Sequence, residues 1–184
     1  MSKRTGLSWL ACGGNVAPVT QRDGKRVVRA SAAEGVQYGM IQELIATLAS
    51  GVFFGAALYI NLVEQPARMS CGVALALTEW RPSYKRATLM QVPLALIGSL
   101  AAFMAWRLEG RVAWLIGGTL YLLVVPFTLI VIMPTNKRLE SQELDIRSEE
   151  AGRLLRRWGR LHAVRTILSG IAFLVFLSSF LAKR

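Results

Sequence analysis

Histidine is all but missing from this chain. His162 is the single one in 184 residues. A metal centre built on several imidazoles has no support, and a Glu64–His162 pair would need two further ligands that no spaced set supplies. Cysteine is scarce too. Cys12 and Cys71 lie far apart and form no close pair, so neither a disulfide framework nor a zinc knuckle is indicated. Acidic residues number 11 against 22 basic ones, for a formal charge of +11. That excess does not point to nucleic acid. The basic residues sit in the N-terminal stretch and in the loops between apolar blocks, with no basic groove or aromatic platform, so their expected partners are lipid headgroups.

Apolar residues are abundant, at 53% of the chain, and they fall in long blocks rather than amphipathic stripes. Four blocks stand out: 41–62, 87–106, 112–133 and 161–182. The third carries no charge, and the fourth is interrupted by Arg165. A helix needs roughly 20 residues to cross the hydrocarbon core, and all four can. The expected fold is all-α: a four-helix transmembrane bundle with helices near 41–64, 86–107, 111–138 and 156–182. Trp106, Trp114, Trp158 and Tyr59 lie near the ends, where an interfacial aromatic belt is expected. Between the first and second spans, Val73–Leu77 is apolar but too short to cross. With Arg81-Pro82 closing it, it reads as an interfacial helix. The mixed-charge loop 134–160 reads as solvated helix. Gly51 and Gly55 form a G-x-x-x-G pattern suited to close helix packing, with homo-oligomerisation as one use. Pro93 and Pro126 are expected to kink their spans.

Residues 1–39 carry Lys3, Arg4, Arg22, Lys25, Arg26 and Arg29 and show no sustained periodicity. They are expected to be a disordered extension preceding a four-span domain, 40–184. Met40 stands where a start would fall just before the first span, so an over-extended start is expected; the alternative is an organelle transit segment. Loops 63–88 and 134–160 share one face, called side A. They hold eleven basic residues: Arg68, Arg81, Lys85, Arg86, Lys137, Arg138, Arg147, Arg153, Arg156, Arg157 and Arg160. Without the extension, side B has only Arg107, Arg111, Lys183 and Arg184. The positive-inside rule then puts side A in the cytoplasm.

Polar residues at membrane depth are costly and usually functional. Asn61, Glu64 and Arg68 share one face of the first span, at i, i+3 and i+7. Trp158, His162 and Arg165 share one face of the fourth, at i, i+4 and i+7. Gln91 starts the second span, and Asn136 follows Pro134 at the end of the third. In an antiparallel bundle all of these collect on side A, where they would build a polar, partly buried pocket with one histidine as base. The bland alternative is arginines that snorkel to phosphates and a carboxylate that merely offsets their burial.

The runs Gly51-Val-Phe-Phe-Gly-Ala-Ala-Leu-Tyr-Ile-Asn61, Glu64-Gln-Pro-Ala-Arg68, Trp80-Arg-Pro-Ser-Tyr84 and Pro134-Thr-Asn-Lys-Arg-Leu139, then Trp158 with His162 and Arg165, carry a resemblance. Over about 41–182 the chain resembles the anthrone-oxygenase-like family, small four-span membrane proteins of bacteria and fungi. The resemblance implies a monooxygenase: fungal members turn an anthrone into an anthraquinone with molecular oxygen and no established organic cofactor. On that reading the partners are the bilayer and a small aromatic or polyphenolic substrate, O2 is co-substrate, and no metal is used. His162 is the expected base, oriented by Glu64. Arg165 or Asn136 would stabilise the enolate oxygen, and Trp158 and Trp80 would stack on flat rings. Asn61, Arg68, Gln91 and Tyr84 complete the expected substrate contacts. Two other classes stand beside this: a membrane binding or transport protein that uses the same pocket without turnover, and an assembly subunit whose G-x-x-x-G face meets a partner.

Overall fold

The computed structural model describes the backbone of residues 21–182, and the side chains of residue 35 and of residues 37–182. The chain divides into two units, 1–34 and 35–184, and the description below concerns the second. Among the described residues every regular element is helical. In chain order these are α1 (Gln21–Tyr59), a π-helical turn (Ile60–Glu64), α2 (Gln65–Ser70), α3 (Val73–Glu109), α4 (Val112–Phe127), a second π-helical turn (Thr128–Ile132), α5 (Met133–Glu140) and α6 (Glu149–Leu181).

These elements join into four rods long and apolar enough to cross a membrane: Gln37–Ser70, Val73–Glu109, Val112–Glu140 and Glu149–Leu181. The chain is thus a multi-pass membrane protein built as a four-helix bundle. The rods hold 34, 37, 29 and 33 residues, well beyond the roughly 20 a bilayer requires. The excess lies mostly at side A. Their outer surface is apolar, with Leu48, Val52, Leu96, Leu100, Ile116, Ile130, Ile167 and Leu174 all exposed, as lipid-facing positions should be.

The core has two parts. One, in the body of the bundle, gathers Phe53, Ala57, Ala95, Ala102, Trp114, Tyr121 and Phe176. Small residues let the rods approach closely here: a Cβ on Gly117 would stand 2.4 Å from the Phe176 ring, and one on Gly98 2.7 Å from Tyr121. Trp114 stacks on Phe176 at 5.3 Å, and the Tyr121 hydroxyl donates to the Ala49 carbonyl across the bundle. Gly51 of the G-x-x-x-G pattern lies under Phe173, while Gly55 faces open space. The second part lies at side A, where Leu77, Trp80, Ile132, Leu139, Leu155 and Trp158 pack together. Arg81 holds this end shut by donating to the carbonyls of Leu139 and Ser141, where the third rod stops.

Three expectations change. The separate interfacial helix between the first and second spans does not form. Val73–Leu77 is the first turn and more of α3, because Gly72 (φ 91°) breaks the chain just before it and Leu77 and Trp80 are drawn into the side-A core. Trp114 and Trp158 are buried packing residues, not members of an interfacial belt. The extension expected to be disordered is helical over 21–39, while residues 1–20 lie outside the described residues. Its alanines (Ala30, Ala32, Ala33) favour helix without any apolar stripe to announce it.

The two π turns follow from proline. Each ends two residues before one, Pro66 or Pro134, which stand at the start of α2 and α5. Proline lacks an N–H and clashes with the carbonyl four residues back. A wider turn relieves both problems without ending the helix. Pro82 and Pro93 are carried inside α3.

Candidate active site

The first π turn presents Asn61 to the fourth rod. The Asn61 amide donates through Nδ2 to the Gly159 carbonyl at 3.0 Å, which settles which end of the amide points where. Its Oδ1 therefore faces the Thr166 hydroxyl, from which it accepts at 2.7 Å, and His162 Nδ1 at 2.8 Å. An oxygen can only accept, so Nδ1 of the neutral imidazole carries the proton and Nε2 keeps its lone pair. His162 is 1% exposed. Trp158, one turn earlier, tilts over its ring with centroids 4.9 Å apart.

One turn deeper, Arg165 donates to Gln91 Oε1 at 2.7 Å and lies over the Phe53 ring at 5.4 Å. Among the described residues no carboxylate comes within ion-pairing distance of it. Arg165 Nε and Gln91 Nε2 are buried donors with no hydrogen-bond partner there. A guanidinium in an apolar bundle without a counter-charge suits an anionic or strongly polarised ligand oxygen.

Arg68 is compensated differently. It pairs with Glu64 on its own rod and with Glu79 of the second rod at 2.7 Å, and it lies 5.9 Å over the Trp158 ring. Ser83 donates to Glu64 at 2.7 Å, so Glu64, Arg68, Ser83 and Glu79 form one latch between the first two rods.

These groups enclose a chamber of about 10 Å³ lined by Glu64, Arg68, Tyr84, Gln91, His162 and Arg165, among others. That is room for about one water. Two larger spaces share its walls. One, of about 80 Å³, adds the apolar side chains of Phe53, Val92, Val124, Val125 and Leu129 to Tyr84, Thr88, Gln91 and Arg165. The other, of about 560 Å³, opens laterally between the first two rods, on the far side of Glu64 and Ser83.

The structure thus brings His162, Arg165, Gln91, Tyr84, Trp158, Glu64 and Arg68 around one chamber. Three expected members are elsewhere. Asn61 does not line the chamber but stands behind His162, in the wall of the outer groove. Asn136 is fully buried beside Leu139 in the third rod and does not line the chamber; its amide atoms have no hydrogen-bond partner among the described residues. Trp80, also fully buried, is sandwiched against Tyr84 (4.9 Å, parallel) and Trp158 (5.6 Å, edge-on), so it backs the ring surfaces rather than offering its own. The orienting role expected of Glu64 falls to Asn61, since the hydrogen bonds of Glu64 run to Arg68 and Ser83. Thr166, Ser83 and Glu79 were not anticipated. Thr166 had a signal, standing one turn after His162 on the same face. Glu43, fully buried in the first rod toward side B, had another, a carboxylate inside an apolar block. Among the described residues no three of His, Cys, Asp and Glu come together as metal ligands.

Comparison with known proteins gives one match. No curated protein and no solved structure matches the chain. The family model described as anthrone oxygenase matches residues 80–175, a stretch that carries Tyr84, Gln91, Trp158, His162 and Arg165 and stops short of the first rod with Asn61, Glu64 and Arg68. The match spans more than half of the sequence and ends only at the far part of the fourth rod, and on it the chain belongs to the anthrone oxygenase family.

Proposed function

We propose that this protein is a membrane-embedded, cofactor-independent monooxygenase that oxidises an aromatic or polyphenolic CH₂ to a ketone with O2. The observation that carries this reading is the pairing, in one chamber, of a tautomer-fixed imidazole with a buried arginine that has no carboxylate partner. The first can take a proton and the second can hold the oxyanion that results.

The steps balance as follows. His162 Nε2 removes a proton from the activated CH₂, and the electron pair delocalises onto the ring carbonyl as an enolate beside Arg165 and Gln91. The carbanion passes one electron to O2, giving a carbon radical and superoxide. Their recombination forms a C–OO⁻ bond, which takes back the proton from His162. Loss of water from this hydroperoxide leaves C=O. The sum is R₂CH₂ + O2 → R₂C=O + H₂O, with both electrons of each broken C–H bond ending on oxygen. O2 and the substrate both concentrate in the bilayer, so a site inside the bundle is well placed for them.

The chamber as described is far below the roughly 300 Å³ at which ligand pockets begin. The adjoining 80 Å³ space does not close that gap by itself, so admission of a flat polycycle requires Tyr84 and Thr88, which line both, to swing aside and the rods around them to part. Tyr84 and Trp158 then offer ring faces to the substrate. With the N-terminal extension left out of the count, which with it stands at eleven against ten, side A and its eleven basic residues face the cytoplasm on the positive-inside rule. The test is oxygen uptake by the purified protein with an anthrone, for wild type and His162→Ala. Uptake that the variant abolishes supports the reading. A silent wild type that binds the anthrone would favour a binding or transport protein instead.

A further inference from the structure

Behind the Asn61–Gly159 hydrogen bond, on the outer face of the bundle, lies a groove of about 740 Å³ between the first and fourth rods. One wall is Asn61, Gln65, Pro66 and Met69. The other is Arg153, Arg156, Arg157, Gly159, Arg160 and Ala163. Their spacing explains the two walls. Residues 61, 65 and 69 recur every four positions, and 153, 156, 160 and 163 recur every three or four, so each set forms one helical stripe. Among the described residues no acidic side chain lines the groove. Its four arginines are exposed, and among the described residues the only carboxylate within ion-pairing distance of any of them is Glu149, 4.0 Å from Arg153. The contrast with the other flank of the first rod is sharp, since there Glu64 and Glu79 answer Arg68.

The groove floor is polar and rigid. Asn61 and Gln65 donate to the carbonyls of Gly159 and Leu155. Gly159 lets this happen: a Cβ there would press on the Gln65 side chain at 3.3 Å. Pro66 and Met69 add apolar surface at the outer end, facing Arg153 and Arg156, and Ala163 lies at the membrane-ward end near Asn61. The space is therefore amphipathic across its width, with arginines on the fourth-rod wall facing Pro66 and Met69 on the first-rod wall, at the level where a rod leaves the bilayer.

We propose that this groove is a binding site for a phosphate-bearing anion, with the phosphate held by Arg156 and Arg160 and flanked by Arg153 and Arg157. Guanidinium forks match phosphate oxygens in pairs, and four exposed arginines along one wall, three of them without an ion pair among the described residues, favour an anion over a zwitterion. The phosphate can come from an anionic lipid headgroup or from a free phosphate compound. This site is separate from the chamber around His162 and does not rest on the oxygenase reading.

The experiment uses the full chain purified in a zwitterionic detergent. Binding is measured by titration with a short-chain phosphatidylglycerol, with the matching phosphatidylcholine, and with inorganic phosphate. Phosphatidylglycerol is expected to bind about tenfold more tightly than phosphatidylcholine, with affinity falling as salt rises. Competition by millimolar inorganic phosphate would assign the site to phosphate alone; its failure to compete would assign it to the lipid. Arg156→Gln with Arg160→Gln should weaken binding roughly tenfold, and Arg138→Gln, which lies outside the groove, should not. The exposed arginines contribute little to folding, and the melting temperature without ligand checks this. Arg153→Gln with Arg157→Gln is the second pair. Equal binding of the two lipids, or wild-type affinity in both double variants, overturns the proposal.

Discussion

Replacing Asn61 by leucine keeps the size of the side chain and deletes its hydrogen bonds. Three groups lose a partner: the His162 Nδ1–H, the Thr166 hydroxyl and the Gly159 carbonyl. They do not lose equally. Thr166 can still donate to the His162 carbonyl at 3.3 Å, and Gly159 lines the outer groove, where water reaches it. The imidazole, 1% exposed, has no such recourse. A buried donor left without an acceptor costs about 1–3 kcal/mol, so the variant should lose about that much stability against denaturant in detergent. The same loss frees the tautomer. If the bond to Asn61 is worth about 1.4 kcal/mol to the Nδ1–H form, removing it should cut turnover about tenfold. The decisive assay is nitrogen-15 NMR of protein labelled at histidine. One histidine in the chain gives one imidazole and no assignment problem. Wild type should show a protonated Nδ1 and an unprotonated Nε2, and Asn61→Leu should show a mixture or the reverse. A wild-type imidazole with its proton on Nε2 would refute the argument from the Asn61 amide.

Arg165→Gln should lower kcat by about 10²-fold with a smaller change in KM, the signature of a group that acts on developing charge, as read by initial rates of oxygen uptake. Gly117→Ala should destabilise the bundle by about 1–3 kcal/mol, because its Cβ would stand 2.4 Å from the Phe176 ring; a denaturation midpoint checks it. Since the base must be neutral, activity should fall as pH drops through the imidazole titration and level off above it, and a pH–rate profile with the single histidine intact reads this directly. Prolonged dialysis against a chelator should leave oxygen uptake unchanged on the cofactor-independent reading.

Hydropathy made the four spans legible, because block length and charge breaks survive any detail of packing. The side-A convergence was legible for the same reason: an antiparallel bundle must bring the end of the first rod and the start of the fourth together, and the faces carrying Asn61 and His162 followed from helical spacing. What failed was register after a π turn. An inserted residue rotates everything beyond it by about 100°. Asn136 was placed only by its span end, and beyond the second π turn it is buried in the third rod away from the chamber. The exchange of roles between Asn61 and Glu64 was not legible because both share the face toward the fourth rod, and Arg68 and Ser83 take the hydrogen bonds of Glu64. Pro66 and Pro134 carried the signal, but proline alone does not say whether a helix will kink, stop or widen. The interfacial helix failed because burial of Leu77 and Trp80 depends on partners in the third and fourth rods, Leu139 and Leu155, that local sequence does not reveal.

The most direct test of the central claim is oxygen consumption with product analysis. Purified wild-type protein, given an anthrone and ¹⁸O2, is predicted to consume one O2 per substrate, place one labelled oxygen in the quinone and release the other as water. His162→Ala, equally folded by its melting curve, is predicted to fall to the uncatalysed rate. Full turnover in that variant, or label absent from the quinone, would contradict the account.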